Sequence, residues 1–387
     1  MYLFSQAVNQ GTNLSCEIHL SNFQEQRNQI QKMIKNVSLD DATMDMLKNP
    51  DIMIILPIVY SLVVIISIPG NIFSLWILFF HIKPKTTSIL LMINLSLTDL
   101  ALTSCLPLQI IYHVKKNHWS YSKQLCSYVT IMFYSNMYSS ILTMTFISFE
   151  RYLGVVYPLT SQKWRKKRYA IATCIVMWFF VLFALWPLAS TNLTYEVKEL
   201  NITTCFDVLQ WNMFSSISAW GAFLLLPLFF FFLLPFTVTV ACYTAIIWKL
   251  IQASHKYGNG QKTRSVYLAI IVLLVFIVCF APNNFILLVH IISRLTERKG
   301  YYHIYKLTLC LSCLNNCIDP FIYYFASKEF YQKSMQVVGR KVLLSDNSET
   351  RRESVLSTRT SARFLSSGHK DGLGVLRTCL QRHESVF

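Results

Sequence analysis

The 387-residue chain is 53% hydrophobic, 14% aromatic and only 14% charged, with a formal net charge of +16. Soluble domains carry about 25% charged residues, so this composition excludes an ordinary soluble domain and implies a chain immersed largely in hydrocarbon. Much of the positive charge falls in segments that would face the cytoplasmic leaflet and its anionic lipid, which makes nucleic-acid binding a poor reading of it.

Residues 1–51 are polar, hold glycosylation signals at Asn13 and Asn36 and lack a long apolar run, so they read as an extracellular tail. The opening residues show no basic start followed by an apolar core, so the first span should act as its own insertion signal. Seven windows long and apolar enough for a bilayer follow: Ile52–Phe80, Ile89–Val114, Val129–Tyr157, Tyr169–Ser190, Ile217–Trp248, Val266–Ile292 and Tyr305–Phe325. An odd number of spans puts the termini on opposite faces. Lys and Arg near the span ends are modestly in excess on the C-terminal side, as the positive-inside tendency requires. The sequons at Asn13, Asn36, Asn192 and Asn201 all fall on the other side, whereas Asn94-Leu-Ser is enclosed in a span. The fold is therefore expected to be all-α, a seven-transmembrane helix bundle over 52–326 with an extracellular N-terminus and a cytoplasmic C-terminus. Residues 327–341 read as a short amphipathic eighth helix, and 342–387, rich in Ser, Thr and Arg, as a disordered cytoplasmic regulatory tail.

Polar residues inside the spans need a reason, because hydrocarbon offers them no partner. Asn71 in the first span reads mainly as interhelical glue. Asp99 lies well inside the second span and must be protonated, paired or facing water or a cation. The third span runs from Cys126 through Asn136 and Ser140, four apart on one helical face, to Glu150-Arg151-Tyr152 at its inner end. Cys105, Cys174, Cys242, Cys279, Cys310, Cys313 and Cys317 sit in spans and read as small core residues. Cys310, Cys313 and Cys317 share a face, but no histidine converges on them to suggest a metal.

Taken in order, Gly70-Asn71, Asp99, Cys126, Glu150-Arg151-Tyr152, Trp178, Pro235 with Tyr243, Phe276 to Pro282 and Asp319-Pro320-Phe-Ile-Tyr323 resemble the marker set of rhodopsin-like G-protein-coupled receptors. The resemblance covers roughly residues 52 to 340. The Asp319-Pro320 pair and the Phe276-x-x-Cys279-Phe280-x-Pro282 variant resemble the purinoceptor-like branch of that family.

That resemblance implies roles for particular residues. Cys126 and Cys205, both on the oxidising side, would form a disulfide, leaving Cys16 without an evident partner. Asp99, Ser140, Asn315, Asn316 and Asp319 would form an allosteric sodium site; a proton-sharing carboxyl pair is the alternative, since most relatives carry Asn where Asp319 stands. No other cofactor is implied. Arg151 would contact the G protein when the sixth helix swings out, with Tyr243 and Tyr323 closing around it. Pro282 and Pro320 would supply bends, and Phe276 and Phe280 an aromatic relay. The base of helix six reads Gln261-Lys262-Thr263-Arg264 and has no acid to lock Arg151, so Glu150 becomes the expected resting partner and appreciable ligand-free signalling is expected.

The outer mouth gathers Lys115, Lys116, His290, Arg294, Arg298, Lys299, His303 and Lys306 with Tyr112, Tyr134, Tyr138, Tyr301 and Tyr302, which suits an anionic ligand. Nucleotide-binding relatives carry a histidine and a basic residue in helix six where Asn284 and Leu287 stand here. An anionic, lipid-conjugated small ligand is therefore expected ahead of a nucleotide, with Tyr112, Lys116, Tyr134, Tyr138, Asn284, His290, Arg294 and Lys306 as its contacts. By resemblance to lipid- and peptide-sensing relatives, G12/13 with Rho is the first expectation for coupling and Gi the second, with arrestin and receptor kinases as further partners. Arg351-Arg352-Glu353-Ser354 suits a basic-directed kinase. Ser385-Val386-Phe387 suits strand addition to a PDZ scaffold. The competing class, an ion-coupled transporter, should show internal repeats, and the two halves of this chain show none. A membrane hydrolase would need a nucleophile, base and oxyanion constellation that is not apparent, so no enzyme is expected.

Overall fold

The computed structural model describes residues 41–158, 161, 167–207, 217–257, 260–296 and 301–339. A short helix, α1 (Asp41–Lys48), precedes the first span, α2 (Pro50–Trp76), which continues through a π-helical turn over Ile77–His81. Asn49 caps α2 by accepting the Asp51 amide at 2.8 Å, and Pro50 takes the first turn, where its missing N–H costs nothing. At the other end Lys85 Nζ donates to the carbonyls of Leu78, Phe79 and Ile82, a cation closing a helix C-terminus. Thr86 caps α3 (Thr87–Val114) and Ser122 caps α4 (Lys123–Val156), each accepting an amide three residues on. Then come α5 (Lys167–Ser190) and a hairpin of β1 (Thr194–Val197) and β2 (Ile202–Cys205), paired antiparallel from Thr194↔Cys205 to Val197↔Ile202. The fifth span is α6 (Ile217–Leu228), a π-helical turn over Phe229–Leu233 and α7 (Leu234–Tyr257). α8 (Gly260–Thr296), α9 (Tyr302–Ala326) and the short α10 (Lys328–Val337) complete the described chain.

Five stretches are apolar enough by length and composition to cross a membrane: Pro50–His81, Thr87–Val114, Lys167–Ser190, Gly221–Ala253 and Ser265–Ser293. The two remaining bundle helices, α4 and α9, are long enough but carry Asn136, Ser139, Ser140, Asn315, Asn316 and Asp319 inside. These helices face protein on most sides rather than lipid. Around the bundle α5 meets α3, α3 meets α2, α2 meets α9, α9 meets α8 and α8 meets α7, while α4 touches α3, α5 and α7. Ile65, Phe80, Phe179, Phe183, Trp186 and Trp248 are among the large side chains left exposed on the outside, a surface that hydrocarbon covers.

The pair Gly70-Asn71 illustrates how the bundle closes. Pro320 in α9 has no N–H, so the carbonyl four residues back, that of Asn316, loses its helical donor. Asn71 Nδ2 supplies one at 3.0 Å and is itself held by Ser67. Gly70 permits the approach, since a Cβ there would lie 3.1 Å from Cγ of Pro320. A second knot uses the enclosed sequon residue: Trp178 Nε1 donates to Asn94 Oδ1 at 2.9 Å and Asn94 Nδ2 to Thr143 Oγ1 at 3.0 Å, joining α5, α3 and α4.

The structure differs from the sequence reading at the N-terminal boundary. Asp41–Lys48 is not solvated tail but a helix with Met46 and Leu47 buried, packed on α9, and its Leu47 carbonyl accepts Asn117 Nδ2 at 3.3 Å. Two helical turns with a few apolar residues are too short for a membrane-length window to register. At the other end, Lys328–Val337 is helical within the expected 327–341, capped by Ser327. Asn13, Asn36, Cys16, Arg351, Ser385, Val386 and Phe387 lie outside the described residues.

Candidate functional site

The disulfide between Cys126 at the outer end of α4 and Cys205 at the end of β2 is formed, with Cα atoms 5.8 Å apart. Asn192 and Asn201 are exposed at the same end, where a glycan could be carried. The hairpin leaves Cys205 through Phe206, whose φ of 61° is strained for a residue with a Cβ. Asp207 follows, nearly fully buried, in an ion pair with Lys306 of α9 and accepting Tyr112 OH at 2.6 Å. Three consecutive residues thus form a strap, fixed to α4 by a covalent bond and to α9 by charge, with Phe206 between the fixings. Tyr302 OH holds the Phe206 carbonyl at 2.9 Å and the Phe206 ring meets Tyr134 edge-on at 5.6 Å.

Beneath the strap is a cavity of about 50 Å³ lined by Tyr134, Tyr138, Phe206, His290, Tyr302 and Tyr305 among others. Tyr134 and Tyr305 share a hydroxyl hydrogen bond of 2.9 Å across α4 and α9, and His290 Nδ1 accepts the Tyr301 amide at 3.0 Å. At ~10–15 Å³ per water such a space holds a few waters and no drug-sized molecule, so a ligand must displace the strap or part the helices. The expected contact set is only partly assembled. Tyr134, Tyr138 and His290 line the cavity, and Tyr112 and Lys306 meet at Asp207. Lys116 is instead exposed on the loop after α3, and Asn284 is buried with its amide donating to its own helix at Phe280 O, 2.9 Å. The side chains of Arg294, Arg298 and Lys299 lie outside the described residues. The sequence reading missed Asp207, Phe206 and Tyr305. An acid two residues past the paired Cys205 was the available signal for the first, and the helical spacing of Tyr302, Tyr305 and Lys306 for the last.

At mid-bundle, Asp99 Oδ1 accepts Asn136 Nδ2 at 3.0 Å, and Asp319 Oδ2 accepts Asn315 Nδ2 at 2.8 Å. The two carboxyl groups are close enough to interact. Asp99 Oδ2, Asp319 Oδ1, Ser140 Oγ, Asn315 Oδ1 and Asn316 Oδ1 are buried and have no hydrogen-bond partner among the described residues. Two like charges cannot sit together in this environment without a proton or a cation between them. The donor set is all oxygen, the kind a hard cation takes. Asn136, on the same face of α4 as Ser140, is thus part of the arrangement. Among the described residues no group of three or more His, Cys, Asp or Glu forms a metal cluster, and Cys310, Cys313 and Cys317 are buried packing residues.

At the inner end Glu150 Oε2 accepts Ser88 Oγ at 2.5 Å, tying α4 to the start of α3. Arg151 lies within electrostatic reach of Tyr243 on α7. Tyr152 is half-buried against the Tyr243 cluster, and Tyr323 is buried with its ring edge-on to Phe330 of α10 at 6.2 Å. Phe276 stacks on Phe236 at 6.1 Å and meets Phe280 at 5.5 Å, while Pro282 and Pro320 lie within α8 and α9, which continue through them. The side chain of Lys262 lies outside the described residues.

This arrangement of a strapped outer mouth, a buried oxygen chamber and an arginine at the inner end agrees with comparisons to known proteins. The family model described as 7 transmembrane receptor (rhodopsin family) matches residues 70–323. P2Y purinoceptor 8 of Gallus gallus is 66% identical over 92% of this chain and 100% of its own length. The S-geranylgeranyl-glutathione receptor P2RY8 of Homo sapiens is 55% identical over 90% of this chain and 98% of its own length. Proteinase-activated receptor 2 of Mus musculus is 34% identical, with 84% of each chain covered. These relatives are receptors and not enzymes, and the transporter reading gives way with them. The chain therefore belongs to the rhodopsin family of seven-transmembrane receptors, in its P2Y8-like branch, as a multi-pass G-protein-coupled receptor of the plasma membrane.

Proposed function

We propose that this receptor responds to an anionic, lipid-conjugated small molecule from the extracellular side. The observation that carries the reading is Lys306: a nearly buried cation beside a tyrosine-lined cavity, neutralised at rest by the strap residue Asp207. A ligand carboxylate can replace that of Asp207 on Lys306 and Tyr112 and so release the strap, which couples anion binding to opening. The human relative's name, a receptor for a glutathione conjugated to an isoprenoid, fits this chemistry. A nucleotide is the weaker alternative, because Asn284 and Leu287 stand where a histidine and a basic residue would meet phosphate, and Asn284 is engaged with its own helix.

Asp99, Ser140, Asn315, Asn316 and Asp319 would hold a sodium ion, whose charge would relieve the carboxylate pair and stabilise the resting bundle. On activation the inner end of α8 moves outward and Arg151 engages the G protein, G12/13 with Rho first and Gi second; arrestin and receptor kinases would follow on the cytoplasmic tail. Without an acid at Lys262, basal signalling above mock cells at matched surface expression is expected. A G-protein dissociation screen of S-geranylgeranyl-glutathione, reduced glutathione, ATP and UDP on cells expressing the receptor tests the reading. Activation by the isoprenoid conjugate at the lowest concentration supports it; activation by a nucleotide alone, or by none of the four, overturns it.

A further inference from the structure

Every other adjacent pair of spans in the ring is in close helix–helix contact, but α5 and α6 are not closely packed among the described residues. Between them, opening to the lipid face, runs a groove of about 1050 Å³ lined almost wholly by apolar side chains, among them Val176, Phe180, Ala222 and Phe230. Ala184, Phe223 and Pro227 line both this groove and the cavity beneath the strap. Phe231 is a further partition, forming groove wall while its ring lies 5.4 Å from that of Tyr138 in the cavity. The helices beside the seam are locally weakened. Pro187 in α5 and Pro227 in α6 each remove a helical hydrogen bond, and the π-helical turn Phe229–Leu233 carries Phe230 and Phe231 on the groove side.

We propose that this seam is a binding subsite for the hydrocarbon chain of the ligand, which reaches the cavity sideways from the outer leaflet while its anionic head lies under the strap. The inference rests on the lipid-conjugated reading above and adds where the chain goes. The cavity of about 50 Å³ cannot take an isoprenoid, and the groove sharing its wall can. Because surrounding lipid is as apolar as the groove, hydrophobicity gives little net attraction there, and recognition depends on shape. Chain length and branching should therefore matter more than oiliness.

The test is a concentration–response series with S-geranyl-, S-farnesyl- and S-geranylgeranyl-glutathione on wild type, Ala222→Trp, Val176→Trp and the control Ile175→Trp, which is lipid-exposed but outside the groove. All three side chains face lipid, so surface expression should be unchanged. In wild type potency should climb with chain length. Either groove variant should flatten that dependence and weaken the longest conjugate about tenfold, the scale of a lost shape-fit in an apolar pocket, with Ile175→Trp unaltered. Unchanged chain-length dependence in both groove variants, with agonism intact, overturns the subsite alone. A wild-type receptor silent to all three conjugates removes the ligand reading and this inference together.

Discussion

The outer end and the middle of the bundle each bury a pair of ionisable side chains, and they resolve the cost in opposite ways. At the outer end Asp207 meets Lys306 and Tyr112, so its charge is matched within the protein. At mid-bundle Asp99 meets Asp319, and one oxygen of each, with three more from Ser140, Asn315 and Asn316, has no donor among the described residues. The first pair is complete by itself and acts as a latch, fastening a strap to α9. The second is incomplete by itself, since two buried like charges need a proton or a cation between them. Removing one partner should therefore harm the outer pair and relieve the inner one.

The largest effect should come from Lys306→Met, which leaves Asp207 buried and uncompensated. A loss of about 3–5 kcal/mol is expected, read as a lower melting temperature of purified receptor and reduced surface expression. Adding Asp207→Leu should restore most of it, and a double variant as unstable as the single would show that the pair is not a latch. Next, Cys126→Ser should cost about 2–5 kcal/mol by freeing the strap's other fixing, and Cys205→Ser should match it without adding to it. Asp319→Asn should behave differently. It removes the like-charge repulsion, so stability in sodium-free buffer should hold or rise. The gain that sodium gives wild type, about 1.4 kcal/mol at ten times its dissociation constant, should disappear in thermal melts. A wild-type melt indifferent to sodium against a choline control would leave the proton-sharing pair in place of the cation. The smallest effect should be that of Tyr302→Phe, which deletes one hydrogen bond to the Phe206 carbonyl. About 0.5–1.5 kcal/mol is expected, together with a faster ligand on-rate if the strap is the gate.

The spans, their orientation and the marker residues were legible because hydrocarbon imposes long apolar runs and makes each polar exception conspicuous. Asp99, Asp319 and Asn71 stood out for that reason. α1 did not, since a two-turn helix leaves no periodic signal. Lys306 was legible as a basic residue near the mouth but not as the partner of Asp207, because opposite charges far apart in sequence carry no mark of their pairing. Lys116 and Asn284 were drawn into the expected contact set by proximity and analogy. The loop conformation exposes one, and the backbone of α8 engages the other.

By itself the sequence determined seven spans with the sugar signals outside, because solvent partition and helix length act locally along the chain, and its ordered markers, by their resemblance to the receptor family, implied the paired cysteines and the role of Arg151. Only the tertiary structure decided that Asn71 replaces the donor Pro320 denies to Asn316 and that Asp207 closes the mouth on Lys306. It also decided that a seam stands open between α5 and α6. Each of these depends on groups brought together from distant parts of the chain, and distance across the bundle is a quantity that no run of residues encodes.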